Sequence, residues 1–204
     1  MKFSISEQDK ASLCRQAPEF ELPVRQFEVK GFEYGDDLFS ALVQSVVSQQ
    51  LSVRAAETIH GRVEKLLVTV NPANVMGADE TDLRSCGLSA RKVEYLRGIA
   101  DAVLSGAVDF AEIAEMDDAG VTAELTKLKG VGVWTAEMLL IFALGRRDVL
   151  SFSDLGIRRG LMLLNNLETL TDDDQDFYRR RYSPYGTLAS LYLWRIKDNR
   201  PSVR

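Results

Sequence analysis

"LKGVGVWTAEML", residues 128–139, sets two glycines around one valine and runs directly into an apolar segment. Glycine tolerates positive φ and puts no side chain between its backbone and a partner. Two glycines spaced by one residue at a helix start turn several backbone N–H groups the same way. These add to the donors that a helix N-terminus leaves without acceptors. The result is an anion site built from backbone and suited to a phosphate, which positions a ligand but reads no base. The same spacing also serves a plain tight turn between helices, so the rest of the chain must decide between the two.

Working outward, helical periodicity dominates and alternating strands are scarce. Leu38, Leu42 and Val46 share one face of a helix from Asp37 to about Ser48, and "SQQLS" (48–52) turns the chain. Ser52 caps the next helix, whose inward stripe is Ala56, Ile59, Val63 and Leu66. Ser89 caps another, with Val93, Leu96, Ala100 and Val103 inside and Gly106 at its end. Two short helices are expected over 109–127 and one from Val133 to Leu144. Another, capped by Ser153 or Asp154, reaches about Leu164, and two more cover roughly 172–182 and 184–197. Residues 1–35 are mixed, with "FELPVRQFEVKGFEYG" (20–35) extended or loop. The expected fold class is all-α, with many short helices and tight loops.

The bulk numbers exclude several classes. The 204 residues are 46% hydrophobic and 27% charged with only 5 prolines, so disorder is expected only at ends such as "NRPSVR" (199–204). A net charge of -5 argues weakly against nucleic acid, but it is a mean, and DNA binding needs only a local basic surface. The acids bunch in "AEIAEMDDAG" (111–120) and "LETLTDDDQD" (167–176). Basic residues pair at Arg91-Lys92, Arg146-Arg147, Arg158-Arg159 and Arg179-Arg180-Arg181, each read most simply as a solvated face. No apolar run reaches membrane-span length, and the N-terminus lacks a signal-peptide core. With only Cys14, Cys86 and His60, a usual Cys/His zinc site or a four-cysteine cluster cannot form. The cysteines read as reduced thiols of a cytoplasmic protein.

"LKGVGVWTAEMLL" resembles the helix-hairpin-helix element of the HhH-GPD DNA glycosylases, with Lys129 where proline is common. The resemblance implies an all-α glycosylase unit of two helical lobes over 1–204. Lobe A covers about 37–145, with the hairpin at 126–134; lobe B covers about 1–36 plus 146–204. It implies that backbone amides of Gly130, Gly132, Val133, Trp134 and Thr135 grip one DNA phosphate. Main-chain carbonyls of Thr126, Leu128 and Val131 would hold a monovalent cation, Na+ or K+. The family's catalytic aspartate, about twenty residues beyond the second hairpin glycine, falls on Asp154. Aspartate is also a leading N-cap residue, and the roles are compatible because a helix N-terminus favours an ionised carboxylate. Phe152 and Ser153 stand where the family often carries proline or a second aspartate.

Within that family, bifunctional members carry a nucleophilic lysine two residues after the second glycine. Here the residue is Trp134, so no lyase step is expected. The iron–sulfur ligands of two other branches are absent. "FSALVQSVVSQQLSVRAAETI" (39–59), "GLSARKVEYLRGIA" (87–100) and "SPYGTLASLYLWR" (183–195) resemble the AlkA/Mag alkylbase glycosylases, a likeness running from about 37 to 198. By that likeness Trp134, Met138 and Trp194 form a base pocket whose electron-rich rings attract a cationic N-alkylated purine. Gln50, Leu51 and Ser52 wedge into the duplex when the base leaves the stack. Gly186 stands where the family often shows arginine. The implied activity is monofunctional hydrolysis of alkylated purines, of the 3-methyladenine and 7-methylguanine class, from duplex DNA. It leaves an abasic site and requires no cofactor. The chain is expected to be a monomer, without room for AlkA's N-terminal β-rich domain. Two alternatives stand beside it. A non-catalytic damage-binding protein would have no need of Asp154, and a glycosylase for oxidised or deaminated bases is disfavoured by Trp134.

Overall fold

Short polar residues punctuate this chain, and the helices start where they stand. The computed structural model describes residues 1–35 and 37–199, so positions 200–204 of the expected disordered end lie outside the described residues. In chain order the elements are β1 (Lys2–Phe3), α1 (Glu7–Gln16), a 3-10 turn (Pro18–Phe20), α2 (Glu21–Gln26), β2 (Phe32–Glu33), α3 (Leu38–Ser48), α4 (Val53–Leu67), α5 (Pro72–Gly77), α6 (Glu80–Ser85) and α7 (Ala90–Leu104). There follow α8 (Phe110–Glu115), α9 (Asp118–Leu125), α10 (Val133–Phe142), α11 (Leu155–Asn165), α12 (Asp172–Tyr182) and α13 (Gly186–Asp198). The fold is all-α; β1 and β2 form only a two-residue antiparallel ribbon. Asp37, Ser52, Ser89, Asp117, Asp154 and Thr171 each accept a first-turn N–H through the side chain, which satisfies one orphan donor per helix.

The chain divides into two compact units, Met1–Tyr34 with Gly145–Arg204, and Gly35–Leu144. In the first, Leu13, Phe20, Leu150, Ile157, Leu161, Tyr182, Tyr192 and Leu193 form the core. There α11 and α13 approach so closely that a Cβ on Gly160 would lie 2.2 Å from the Leu193 carbonyl oxygen. Arg181 clamps the same core to the N-terminal segment with two bonds of 2.8 Å to the Glu19 carboxylate. In the second unit α3 packs against α4, α7 and α10. Leu42, Val43, Val46, Val63, Leu96, Ala136 and Ile141 are buried there.

Two details depart from the sequence reading. Residues 21–26, expected as extended or loop, are helical, with Pro23 in the first turn of α2, where no intrahelical N–H bond is required. A helix this short around a proline shows no apolar period. In α4 the inward residue of the last turn is Leu67, while Leu66 is 37% exposed. Four residues beyond Val63 return closer to the core face than three.

Candidate DNA-binding and base-excision site

In the second unit, Gly130 adopts φ +89°, and a Cβ there would lie 2.3 Å from Cδ2 of Tyr95. Glycine is required twice over, for the turn and for the aromatic ring beneath it. Gly132 differs: its φ is -97°, and a Cβ would meet nothing within 4 Å. Its bareness serves no internal contact. Gly132 is the N-cap of α10 and has no side chain to accept from the first turn, so that turn's donors are not claimed by a cap. Val133, the first helical residue, is 48% exposed. The Thr135 side chain is buried, and its hydroxyl accepts from the Gln49 amide at 3.3 Å. Of the carbonyls assigned to a cation, Thr126 is the C-cap of α9 and Leu128 accepts the Val131 N–H at 3.0 Å.

The start of α10 also walls a cavity of about 350 Å³, a size suited to a small ligand. Trp134 and Met138, two of the three residues read as a base pocket, line it together, and Phe142 adds a third side chain four residues further on. Across from them stand Ser45 and Ser48 of α3. Trp134, in the first turn of α10, is 36% exposed.

The turn joining α3 to α4 carries the three wedge candidates. Gln50 and Ser52 are exposed, and Leu51 is 38% exposed. The Ser52 hydroxyl accepts from the Ala55 N–H at 3.4 Å, which makes it a helix cap. Gln50 has φ +59°, a conformation that residues with a Cβ rarely adopt. Lys92 reaches this turn from α7 and donates to the carbonyls of Val47 (2.7 Å) and Gln49 (2.8 Å). Burial holds its pKa below the usual lysine value.

In the first unit Asp154 caps α11 and is half-buried. One carboxylate oxygen, Oδ1, accepts from the Ile157 N–H at 2.8 Å and from the indole N–H of Trp194 at 2.9 Å. Gly156 makes this possible, because a Cβ there would lie 2.8 Å from Trp194 Cδ1 and 3.0 Å from Asp154 Oδ1. The sequence reading gave Trp194 a place in the base pocket; its bond to Asp154 was not foreseen. Gly186 also has a local cause. Its N–H donates to Asp148 Oδ1 at 3.0 Å, and a Cβ would sit 2.8 Å from that oxygen, so no arginine fits here without displacing Asp148.

Several residues of the basic pairs serve the fold: Arg147 pairs with Asp9 at 2.9 Å, and Arg181 with Glu19. Both cysteines are free thiols whose pKa burial raises. Among the described residues no three His, Cys, Asp or Glu side chains gather as a metal site, and no helix is long and apolar enough to cross a membrane.

Residues 43–182 match the model of the HhH-GPD superfamily of base excision DNA repair proteins. The chain belongs to that superfamily. Among relatives of this HhH-GPD protein, DNA-3-methyladenine glycosylase 1 of Schizosaccharomyces pombe is 36% identical over 165 residues, covering 77% of this chain and 71% of the relative. A DNA-3-methyladenine glycosidase from Bacillus halodurans superposes with a TM-score of 0.80 at 34% identity, over 98% of this chain and 93% of the other. The S. pombe 3-methyladenine DNA glycosylase, solved in complex with abasic DNA, gives 0.79 at 30% identity, over 92% and 95%. The chain spans between 58% and 77% of the length of the curated relatives it matches.

In this HhH-GPD protein the sequence reading passed over Phe142, although it continues the four-residue spacing of Trp134 and Met138. Gln49 and Lys92 carried no signal, because nothing in a linear sequence joins position 92 to position 49.

Proposed function

We propose that this chain is a monofunctional DNA glycosylase that removes N-alkylated purines from duplex DNA. The observation that carries the reading is the Asp154 carboxylate, fixed by two donors on one oxygen yet only half-buried. A pure binding protein has no use for a held anion facing DNA. Cleavage of the N-glycosidic bond builds positive charge on the deoxyribose, and a preorganised carboxylate stabilises that charge more in the transition state than in the ground state. Water then adds through oxygen to C1′. The C1′–N bond breaks with its electron pair going to the base, and one water proton passes to Asp154 or solvent. A cationic alkylated base thereby leaves neutral, without a strong general acid.

The second unit supplies binding. The α10 N-terminus and the Gly130–Gly132 hairpin take a backbone phosphate, and Trp134 and Met138 receive the base. Leu51 fills the vacated stack. On this reading the main-chain carbonyls of Thr126, Leu128 and Val131 would hold a monovalent cation, which would add positive charge beside the phosphate. The names of the relatives and the abasic-DNA complex of one of them support this reading. We place the protein in the cytoplasm as a monomer.

The test is release of free base from DNA methylated with a simple alkylating agent. Base is released, strands break only after alkali, and borohydride traps no covalent adduct because Trp134 replaces the lysine. Asp154→Asn releasing base as fast as the parent defeats the mechanism.

A further inference from the structure

Gln50 is the point of departure. It lies at the exposed tip of the α3–α4 turn, with φ +59°. Unusual backbone of this kind persists only where neighbours over-determine it, and it concentrates at working sites. The neighbours here are specific. The carbonyl just before Gln50, that of Gln49, accepts Lys92 Nζ at 2.8 Å, and the same ammonium binds Val47 O at 2.7 Å. The Leu51 N–H closes the turn on Ser48 O at 3.2 Å. From the same turn the Gln49 side-chain amide donates to Gly130 O at 2.9 Å and to Thr135 Oγ1 at 3.3 Å. The latter two residues belong to the hairpin and the first turn of α10. A helix C-terminus needs donors for its last carbonyls, and water supplies them at an exposed turn. Simple capping explains neither a partly buried lysine recruited from α7 nor an amide aimed at the hairpin.

We propose that Lys92 and Gln49 are positioning residues for the duplex wedge: Lys92 holds Gln50 in its left-handed conformation, and Gln49 fastens the turn to the phosphate-binding hairpin. Leu51 is thereby presented at a fixed height above whatever strand the hairpin grips. The proposal rests on the glycosylase reading above. It adds that wedge and phosphate grip form one hydrogen-bonded assembly, with no contact between Lys92 and the DNA required.

The experiment uses the full chain and two duplexes. One carries a tetrahydrofuran abasic analogue with a neighbouring 2-aminopurine, and the other is undamaged. Lys92→Met lowers the preference for the abasic duplex about fivefold, the scale of one or two net hydrogen bonds, and changes affinity for undamaged duplex less than about twofold. The 2-aminopurine signal falls in parallel. Glycine adopts positive φ unaided, so in a Gln50→Gly background Lys92→Met costs less than about twofold. Gln49→Ala, which removes only two hydrogen bonds, gives the same selective loss and carries the test if Lys92→Met fails to fold. Equal loss from Lys92→Met in both backgrounds, or equal weakening on both duplexes, overturns the assignment. A parent protein with no preference for the abasic duplex overturns the functional reading itself, and the two failures are thus told apart.

Discussion

Replacing Trp194 by phenylalanine separates its two conceivable jobs. The substitution keeps an aromatic ring on α13 and removes the indole N–H that donates to Asp154 Oδ1 at 2.9 Å. A hydrogen bond to a charged group contributes about 1.5–3 kcal/mol, and both partners are half-buried, so the lower end, about 1.5 kcal/mol, applies. If that bond holds the carboxylate where positive charge develops, its loss appears in kcat, by about tenfold, since about 1.4 kcal/mol is one decade. The Ile157 N–H still donates to the same oxygen, which keeps the loss well short of that for Asp154→Asn. Single-turnover base release on methylated DNA measures the step directly. KM and affinity for an abasic duplex stay within about twofold, because nothing that grips phosphate has changed. In an Asp154→Asn background Trp194→Phe adds little, since the two residues act as one unit. A raised KM with unchanged kcat would refute the argument and return Trp194 to a base-contacting role.

The hairpin glycines should part company. Gly130→Ala forces a Cβ into Tyr95 at positive φ and costs on the order of 2 kcal/mol or more in urea unfolding. Gly132→Ala, with open space at its Cβ, changes stability by less than about 0.5 kcal/mol yet weakens binding to undamaged duplex several-fold; equal stability losses would contradict the structure. Affinity for that duplex also falls steeply with salt, with a log–log slope of about -0.9 per phosphate neutralised. For Glu19, burial raises its pKa, but hydrogen bonds and charge from Arg181 outweigh this and leave it below its ordinary 4.5. A depressed folded-state pKa gives stability that is full above the unfolded value and lost as pH falls through the folded one. Glu19→Gln should therefore cost most near neutral pH, with the gap to the parent closing below about pH 4.5; a gap that widens in acid would invert the assignment.

What could be read from the sequence was local. Caps such as Ser52, Ser89 and Asp154 announce helix starts because a cap is a contact over three residues. Trp134 and Met138 share a cavity because residues four apart on a helix share a face. The hairpin's glycines were visible, but not their difference, since only the folded ring of Tyr95 makes Gly130 obligatory. Short helices with a proline in the first turn, such as α2, show no period to find. The side chains that aim others were hidden altogether: Trp194 lies 40 residues from Asp154, and Lys92 lies 43 from Gln49. Long-range hydrogen bonds leave no spacing signature, and partners of this kind emerge only from tertiary packing.

The helix α10 has a further consequence. Its N-terminus, Trp134, Met138 and Phe142 belong to one ten-residue rod, and the last three recur every four residues along one side. At 1.5 Å of rise per residue these rungs stand about 6 Å apart. The helix is a ruler whose zero mark is the hairpin. Anything lodged in the cavity is measured from that mark, and the rod cannot slide to suit a bulkier occupant without dragging the mark with it. On the reading proposed above, exchanging a single rung, or Ser45 or Ser48 on the facing α3, would change the room in the cavity without moving the mark, and Phe142 is the rung farthest from it.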